Sequence, residues 1–406
     1  MAKGGTALDG TFIYFIAYAT VTNYKRKPIH ASDLKEIFDE KSKYFFRFFS
    51  YHIYRNSYNF PRACSAENGF FFLMFQSEII LFIQSFSTDA LTFFFKFWTT
   101  LGYPAYVMAF LIIIMFGVRF REGFILIHAV LWTTIATLTL KNLFALPRPT
   151  YVDRNVQLLG ENHPNTTPFE NMGAKFFFGH LPHEVIEAFR DNPFDSWGLP
   201  SGHTSNATSS WGLLMLRFQK RWLFFIAIAM IVFIPFSRMY LGRHFLADIL
   251  GGYLVGGIML FVFYHFVFQN SWIMGIFDIQ STQIPGRGKT IILLGYLFFL
   301  PLGLLLIPTF PSNFLAILIG ANVGFLIVWR RGIPKDFGSF LQRTVRVLIA
   351  FGVCVGVDRG LEAFHSLIFQ SESTALSSLR MGISTFFLIW GATELNIKLR
   401  LFKRVI

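Results

Sequence analysis

Three short polar clusters interrupt an otherwise apolar chain, and their side chains are of the kinds that handle phosphate. Lys141 closes one apolar block and is followed by Arg148 and Pro149. Pro200-Ser201-Gly202-His203 stands directly before another block. Ser237-Arg238, His244 and Asp248 lie between two more. Lys141 and Arg148 are about two helical turns apart and would share a helical face but for Pro147. With Arg238 they supply three permanent positive charges, and an arginine fork can bind two oxygens of one phosphate. Ser201 and Gly202 open a helix, where unpaired backbone N–H groups and the helix dipole favour an anion. His244 and Asp248, at i and i+4, are neighbours on one helical face. The carboxylate there can hold one ring nitrogen and leave the other free to attack or to accept a proton. His203 adds a second imidazole, suited to general acid work. Each cluster alone has a plain structural reading: a lysine snorkelling at a helix end, a Ser-Gly turn, a structural His–Asp hydrogen bond.

These groups must be positioned by membrane helices. The 406 residues are 53% hydrophobic and only 15% charged, with 53 phenylalanines and a mean hydropathy of +0.49. Soluble chains carry roughly 25% charged residues. Their cores have no use for so many apolar blocks near spanning length. A soluble enzyme, a disulfide scaffold and a disordered chain are thereby excluded. Two cysteines, Cys64 and Cys354, form no redox or zinc motif. The fold class expected is an all-α polytopic membrane bundle. Ten apolar blocks are candidate spans: 70–86, 101–118, 123–140, 204–216, 222–236, 249–268, 290–308, 314–329, 347–357 and 381–395. Several fall short of the ~20 residues a spanning helix needs. No signal peptide is legible near the start, where residues 10–21 are too short to span and lack a basic flank.

Charge distribution sets the orientation. With the N-terminus inside, 26 of the 36 Lys and Arg fall on inside segments; without residues 1–69 the balance is still 16 to 10. The long loop 150–199 then faces outward, with seven acids against Arg154, Lys175 and Arg190. Basic inside loops also account for the net charge of +13 without any nucleic-acid partner. All three polar clusters come to the outer face, which independent chain reversals seldom achieve by chance.

KNLFALPRP at 141–149, PSGH at 200–203 and SRMYLGRHFLAD at 237–248 resemble the signature of the type 2 phosphatidic acid phosphatase superfamily. That superfamily includes membrane lipid phosphatases, glucose-6-phosphatase and the soluble vanadium haloperoxidases. The resemblance covers residues 75–268, with every signature position matched; the tail looks like that of longer bacterial members with extra C-terminal helices. It implies a lipid phosphate or diphosphate hydrolase at the extracytoplasmic face of a bacterial inner membrane. In it His244 would be the nucleophile, forming a phosphohistidine, and Asp248 its orienting carboxylate. His203 would be the acid and later the base. Lys141, Arg148, Arg238, Ser201 and Gly202 would hold the phosphate. It implies no metal and no cofactor. Such fixed positive groups can stabilise a transferring phosphoryl group unaided. A lipid phosphate and the bilayer are the partners implied, with no obligate protein partner.

Three segments follow: a cytoplasmic or interfacial stretch at 1–69, the catalytic membrane domain at 70–268, and C-terminal membrane helices at 269–406. The rivals are a lipid phosphotransferase using the same phosphohistidine and a non-enzymatic lipid carrier; a carrier has no need of both histidines. Some residues stay open. Arg243 faces either substrate or headgroups. Loop 150–199, with its aromatic patch Phe176, Phe177 and Phe178, is either a lid or a surface appendage. Asp358, Arg359, Glu362 and His365 either line an entrance or form a solvated loop, the latter favoured. His128 is expected to be packed and hydrogen-bonded, and Glu394 paired or snorkelling.

Overall fold

In a computed structural model the described residues are 75–161, 164–176, 178–191, 196–276, 287–368 and 373–404. Segment 1–69 lies outside them. Among the described residues the structure is helical, with one two-residue antiparallel pairing of Pro334–Lys335 with Lys403–Arg404. The helices are α1 (Ser77–Gln84), α2 (Asp89–Thr100), α3 (Pro104–Val118), α4 (Phe120–Phe144), α5 (His183–Asp191) and α6 (Gly202–Phe218). They continue as α7 (Arg221–Tyr240), α8 (Leu246–Phe268), α9 (Thr290–Leu305), α10 (Ser312–Arg331), α11 (Phe340–Ile368) and α12 (Thr374–Lys398). The protein is an all-α polytopic membrane bundle.

Among the described residues six helices are long and apolar enough to cross a membrane: the one starting at Phe120, then α7, α8, α10, α11 and α12; the bent pair α2–α3 makes up to seven. Three of the ten candidate blocks, the first, fourth and seventh, form helices that fall short of that length or hydropathy. The first block reaches no further than α1, whose eight residues span only about 12 Å against a hydrocarbon core of about 30 Å. Instead of crossing, α1 packs under loop 150–199. Phe75 O accepts from Ala174 N at 3.0 Å, and Gln84 binds both Gln157 and the carbonyl of Tyr240. The fourth block, α6, is polar on its buried faces. Thr133 donates to Ser209 at 3.1 Å, and Thr134 and Asn206 bond each other. The seventh block forms α9, too short for a straight crossing. A further correction concerns α2, which the apolar blocks passed over. It is capped by Thr88, whose hydroxyl accepts from Leu91 N. After Thr100 the chain turns by 54°, and Pro104 restarts it as α3.

The region that carries the three polar clusters is built on a close approach of α6 and α8. A Cβ built on Gly256 would stand 2.6 Å from the Ser205 carbonyl oxygen, and one on Gly252 2.7 Å from that of Ser201. Glycine therefore sets how near these helices come. That nearness places Pro200-Ser201-Gly202-His203 beside the start of α8, where Ser201 N donates to Asp248 O at 2.8 Å. Gly256→Ala should thus force the pair apart and cost about 1–3 kcal/mol. Gly352→Ala on α11, where a Cβ meets nothing within 4 Å, should be neutral or stabilising by up to about 1 kcal/mol. Thermal unfolding of the two variants in detergent compares them directly; equal melting points would refute the packing argument.

The C-terminal helices continue the same apolar core, which runs from Leu111 to Phe402. Phe124 of α4 stacks on Phe325 of α10 at 4.0 Å, and α10 and α12 touch at Gly320 and Gly382. Glu122, buried at the start of α4, joins Arg217 at 2.7 Å and Arg121 at 3.1 Å. His128 is packed, with Nδ1 3.3 Å from the Tyr296 hydroxyl. Glu394 is paired with Arg331 and Arg404. Asp358, Arg359, Glu362 and His365 lie on helix α11 rather than in a loop. Arg380 of α12 faces Asp358 and Glu362, each at 3.7 Å.

Candidate active site

Each of the eight expected residues sits where a helix begins or ends. Lys141 is in the last turn of α4, which stops because Ala145 takes a left-handed conformation and Pro147 follows. Arg148 is the residue just beyond. Ser201 caps α6, Gly202 opens it and His203 occupies its first turn. Arg238 is in the last turn of α7. A tight turn through Gly242, at φ +73, then reverses the chain. His244 falls at its end, and Asp248 in the first turn of α8.

The structure brings all eight together. Asp248 Oδ2 accepts from His244 Nδ1 and from Phe245 N, both at 3.0 Å. One carboxylate oxygen thus caps α8 and holds the imidazole, leaving Nε2 as the nitrogen not engaged with Asp248. Lys141, Arg148 and Arg238 all act electrostatically on both His203 and His244, so the three cations surround the two imidazoles. Burial first, and then the charges of Lys141, Arg148 and Arg238, hold His244 well below the ordinary imidazole range. Both causes favour the neutral imidazole, with a lone pair available. His203 Nε2 and Ser201 Oγ are buried polar atoms with no hydrogen-bond partner. Unpaired groups of that kind are costly, and they fit a site shaped for an absent polar ligand.

Sequence reasoning missed the residues that hold this set in place. Lys141 Nζ donates to the carbonyls of Trp197 and Gly198 at 2.5 and 2.7 Å. Arg148 donates to the Ser196 carbonyl at 2.8 Å and to its hydroxyl. A Cβ on Gly198 would lie 2.9 Å from Pro147 O and 3.1 Å from Asp248 Oδ2, so only a bare backbone fits between them. Arg238 Nη1 donates to Thr99 Oγ1 of α2 at 2.9 Å and lies over the Tyr103 ring at 5.9 Å. Tyr103 also meets His203 edge-on, ring centres 5.0 Å apart. A Cβ on Gly102 would come 2.4 Å from His203 Cδ2. The Gly102-Tyr103-Pro104 break was the legible signal, since Gly and Pro punctuate helices. Nothing local marked Thr99 or Ser196.

Loop 150–199 roofs this end of the bundle. Leu181, Val185 and Phe189 are buried, in part against Phe75 and Phe245. Arg190 donates to the carbonyls of Phe144 and Ala145, at the end of α4. The loop is packed structure rather than a loose appendage, although Phe176 and Phe178 are exposed; Phe177 lies outside the described residues. Arg243 pairs with Glu161 of this loop.

The PAP2 superfamily model matches residues 122–272, a range holding all eight positions. The lipid A 4'-phosphatase of Bacteroides thetaiotaomicron is 30% identical over 93 residues, 23% of this chain and 39% of that protein. Phosphatidylglycerophosphatase B of Bacillus subtilis is 33% identical over 76 residues, 16% of this chain and 37% of that protein. The chain thus matches about two fifths of the length of these curated relatives. The crystal structure of Aquifex aeolicus LpxE aligns at 25% identity over 47% of this chain and 94% of that one, with a TM-score of 0.35. The likeness to the PAP2 superfamily thus covers residues 122–272 of the chain.

Proposed function

We propose that this protein is an integral membrane lipid phosphatase that removes phosphate from a lipid phosphate or diphosphate at the outer membrane face. Segment 70–268 would do the chemistry and 269–406 would support it. The observation that carries this reading is the His244–Asp248 pair at 3.0 Å, set among three cations and a second histidine. In the reaction His244 Nε2 forms a bond to phosphorus while the bond to the lipid oxygen breaks. His203 gives that oxygen a proton. His203 then takes a proton from water, which attacks the phosphohistidine and releases inorganic phosphate. Lys141, Arg148, Arg238, Ser201 and the Gly202 N–H neutralise charge on the transferring group. A groove of about 530 Å³ runs along the bent pair α2–α3, which also carries Thr99 and Tyr103; Phe93, Phe97, Leu101 and Tyr106 give it an apolar wall for a tail, and Asp89, Thr92, Lys96 and Thr100 a polar one. The names of the two curated relatives point the same way.

The test is phosphate release from a panel of phosphatidate, phosphatidylglycerol phosphate, undecaprenyl diphosphate and a sphingoid phosphate, in detergent with EDTA. At least one lipid should be hydrolysed with EDTA present, because three fixed cations and a helix N-terminus already supply the charge an ion would bring. Vanadate, which mimics the five-coordinate transferring group, should inhibit. Activity lost in EDTA and restored by Mg2+ alone would transfer the work to an ion. Radiolabel passing to a second lipid instead of to water would favour the phosphotransferase.

A further inference from the structure

Arg243 precedes the proposed nucleophile, yet the chemistry above gives it no part. Its backbone N–H donates to the Arg238 carbonyl at 2.8 Å, which seats it beside the phosphate clamp, and the Arg148 charge acts on its guanidinium. Like charges gathered in one place are unfavourable unless an anion lies with them. That anion is Glu161, whose carboxylate pairs with the largely buried Arg243 side chain while remaining 42% exposed itself.

Glu161 is not there by chance of a loose loop. Gln84 holds Gln157 by two hydrogen bonds, at 2.8 and 3.0 Å, and the Tyr240 carbonyl by a third. Lys96 donates to the Gly160 carbonyl at 3.0 Å, and Gly160 takes the positive φ of +84 that turns the strap. A Cβ on Gly242 would meet Gln157 O at 2.4 Å, so the strap lies directly on the turn that carries Arg243. The carboxylate is delivered to the guanidinium by a fixed piece of backbone, and only its own side chain has to swing away.

We infer that Arg243 is the seat for a second acidic group of the substrate, and that Glu161 fills this seat as an internal carboxylate until a lipid with two adjacent phosphates displaces it. The inference rests on the lipid phosphatase reading and narrows it to diphosphates. Charge bookkeeping supports it. A terminal phosphate brings about two negative charges, which Lys141, Arg148 and Arg238 meet. The inner phosphate of a diphosphate brings one more, which is the charge Glu161 carries when it leaves Arg243. At Arg243 the exchange replaces one negative charge by another, so that seat's own balance is unchanged. In the transfer step His244 Nε2 bonds to the terminal phosphorus and the electron pair of the broken bond goes to the bridging oxygen. The lipid departs as its monophosphate, on whose oxygens Arg243 neutralises the new charge.

Farnesyl diphosphate and farnesyl monophosphate, which share one tail, are the probes, with kcat/KM measured on the full chain in detergent. Arg243→Gln should lower the diphosphate-to-monophosphate ratio of kcat/KM by about tenfold or more, and Arg243→Lys should restore part of it. Glu161→Gln should raise the same ratio by about threefold or more, through a lower KM for the diphosphate. Glu161 is half exposed on a surface strap, so its variant decides the matter even if Arg243→Gln fails to fold. Both variants changing both substrates by one factor, or Glu161→Gln lowering the ratio, would overturn this inference alone. A wild-type chain that releases phosphate from neither probe nor from any lipid of the panel would overturn the parent reading and this one with it.

Discussion

His244→Ala is expected to cut phosphate release by about 10⁴-fold or more, because it removes the nitrogen proposed to take the phosphoryl group. The neutral His244 is aligned through Nδ1 by Asp248, and alanine removes the attacking atom while leaving the cap of α8 to Asp248 and the Phe245 N–H. Folding should therefore survive, and detergent melting should show it. Rapid acid quench of wild type with labelled substrate should trap an acid-labile phosphoenzyme, and His244→Ala should trap none. Label retained by the alanine variant would place the covalent step elsewhere. Asp248→Asn should fall between wild type and alanine, since an amide can still cap the helix but no longer supports a positive imidazole.

The second large effect belongs to His203→Ala. Loss of the acid should slow turnover by about 10²–10⁴-fold for a lipid alkoxide leaving group. The same variant should lose far less on an aryl phosphate whose phenolate departs without a proton. His244→Ala should lose everything on both. The contrast rests on the positions of the two rings: His203 on the Tyr103 side of the site, His244 on the Asp248 side. If both variants respond alike to leaving-group pKa, the division of labour between the two imidazoles is wrong.

The two histidines also show how the tertiary structure adds to their chemistry. Tyr103 and Gly102 wedge His203 from the break between α2 and α3, and Thr99 anchors Arg238 from the same helix. Thr99 and Tyr103, four positions apart across this break, both reach the site, and the chain continues beyond it as the apolar α3. The bend itself follows from the local Gly-Tyr-Pro sequence.

By itself the sequence determined the fold class and the eight polar residues that meet at one end of the bundle. Both follow from short-range physics: long apolar blocks fold as helices in a membrane because a helix satisfies its backbone hydrogen bonds within its own segment, and i,i+4 spacing alone brings His244 to Asp248. Hydropathy could not decide which blocks cross. The first block ends at Gln84 and packs under a roof, and α6 buries hydroxyls that read as polar. Only the tertiary structure decided what grips the clustered cations. Lys141 and Arg148 are held by carbonyls about 50 residues further along the chain, at Trp197, Gly198 and Ser196, and Arg238 by a threonine 139 positions earlier. The strap that brings Glu161 to Arg243 depends on Gln84 and Lys96. Such contacts use backbone carbonyls and ordinary polar side chains, which carry no periodicity or motif. They exist only once α6 and α8 have closed on their glycines and the outer loop has packed over the end of the bundle.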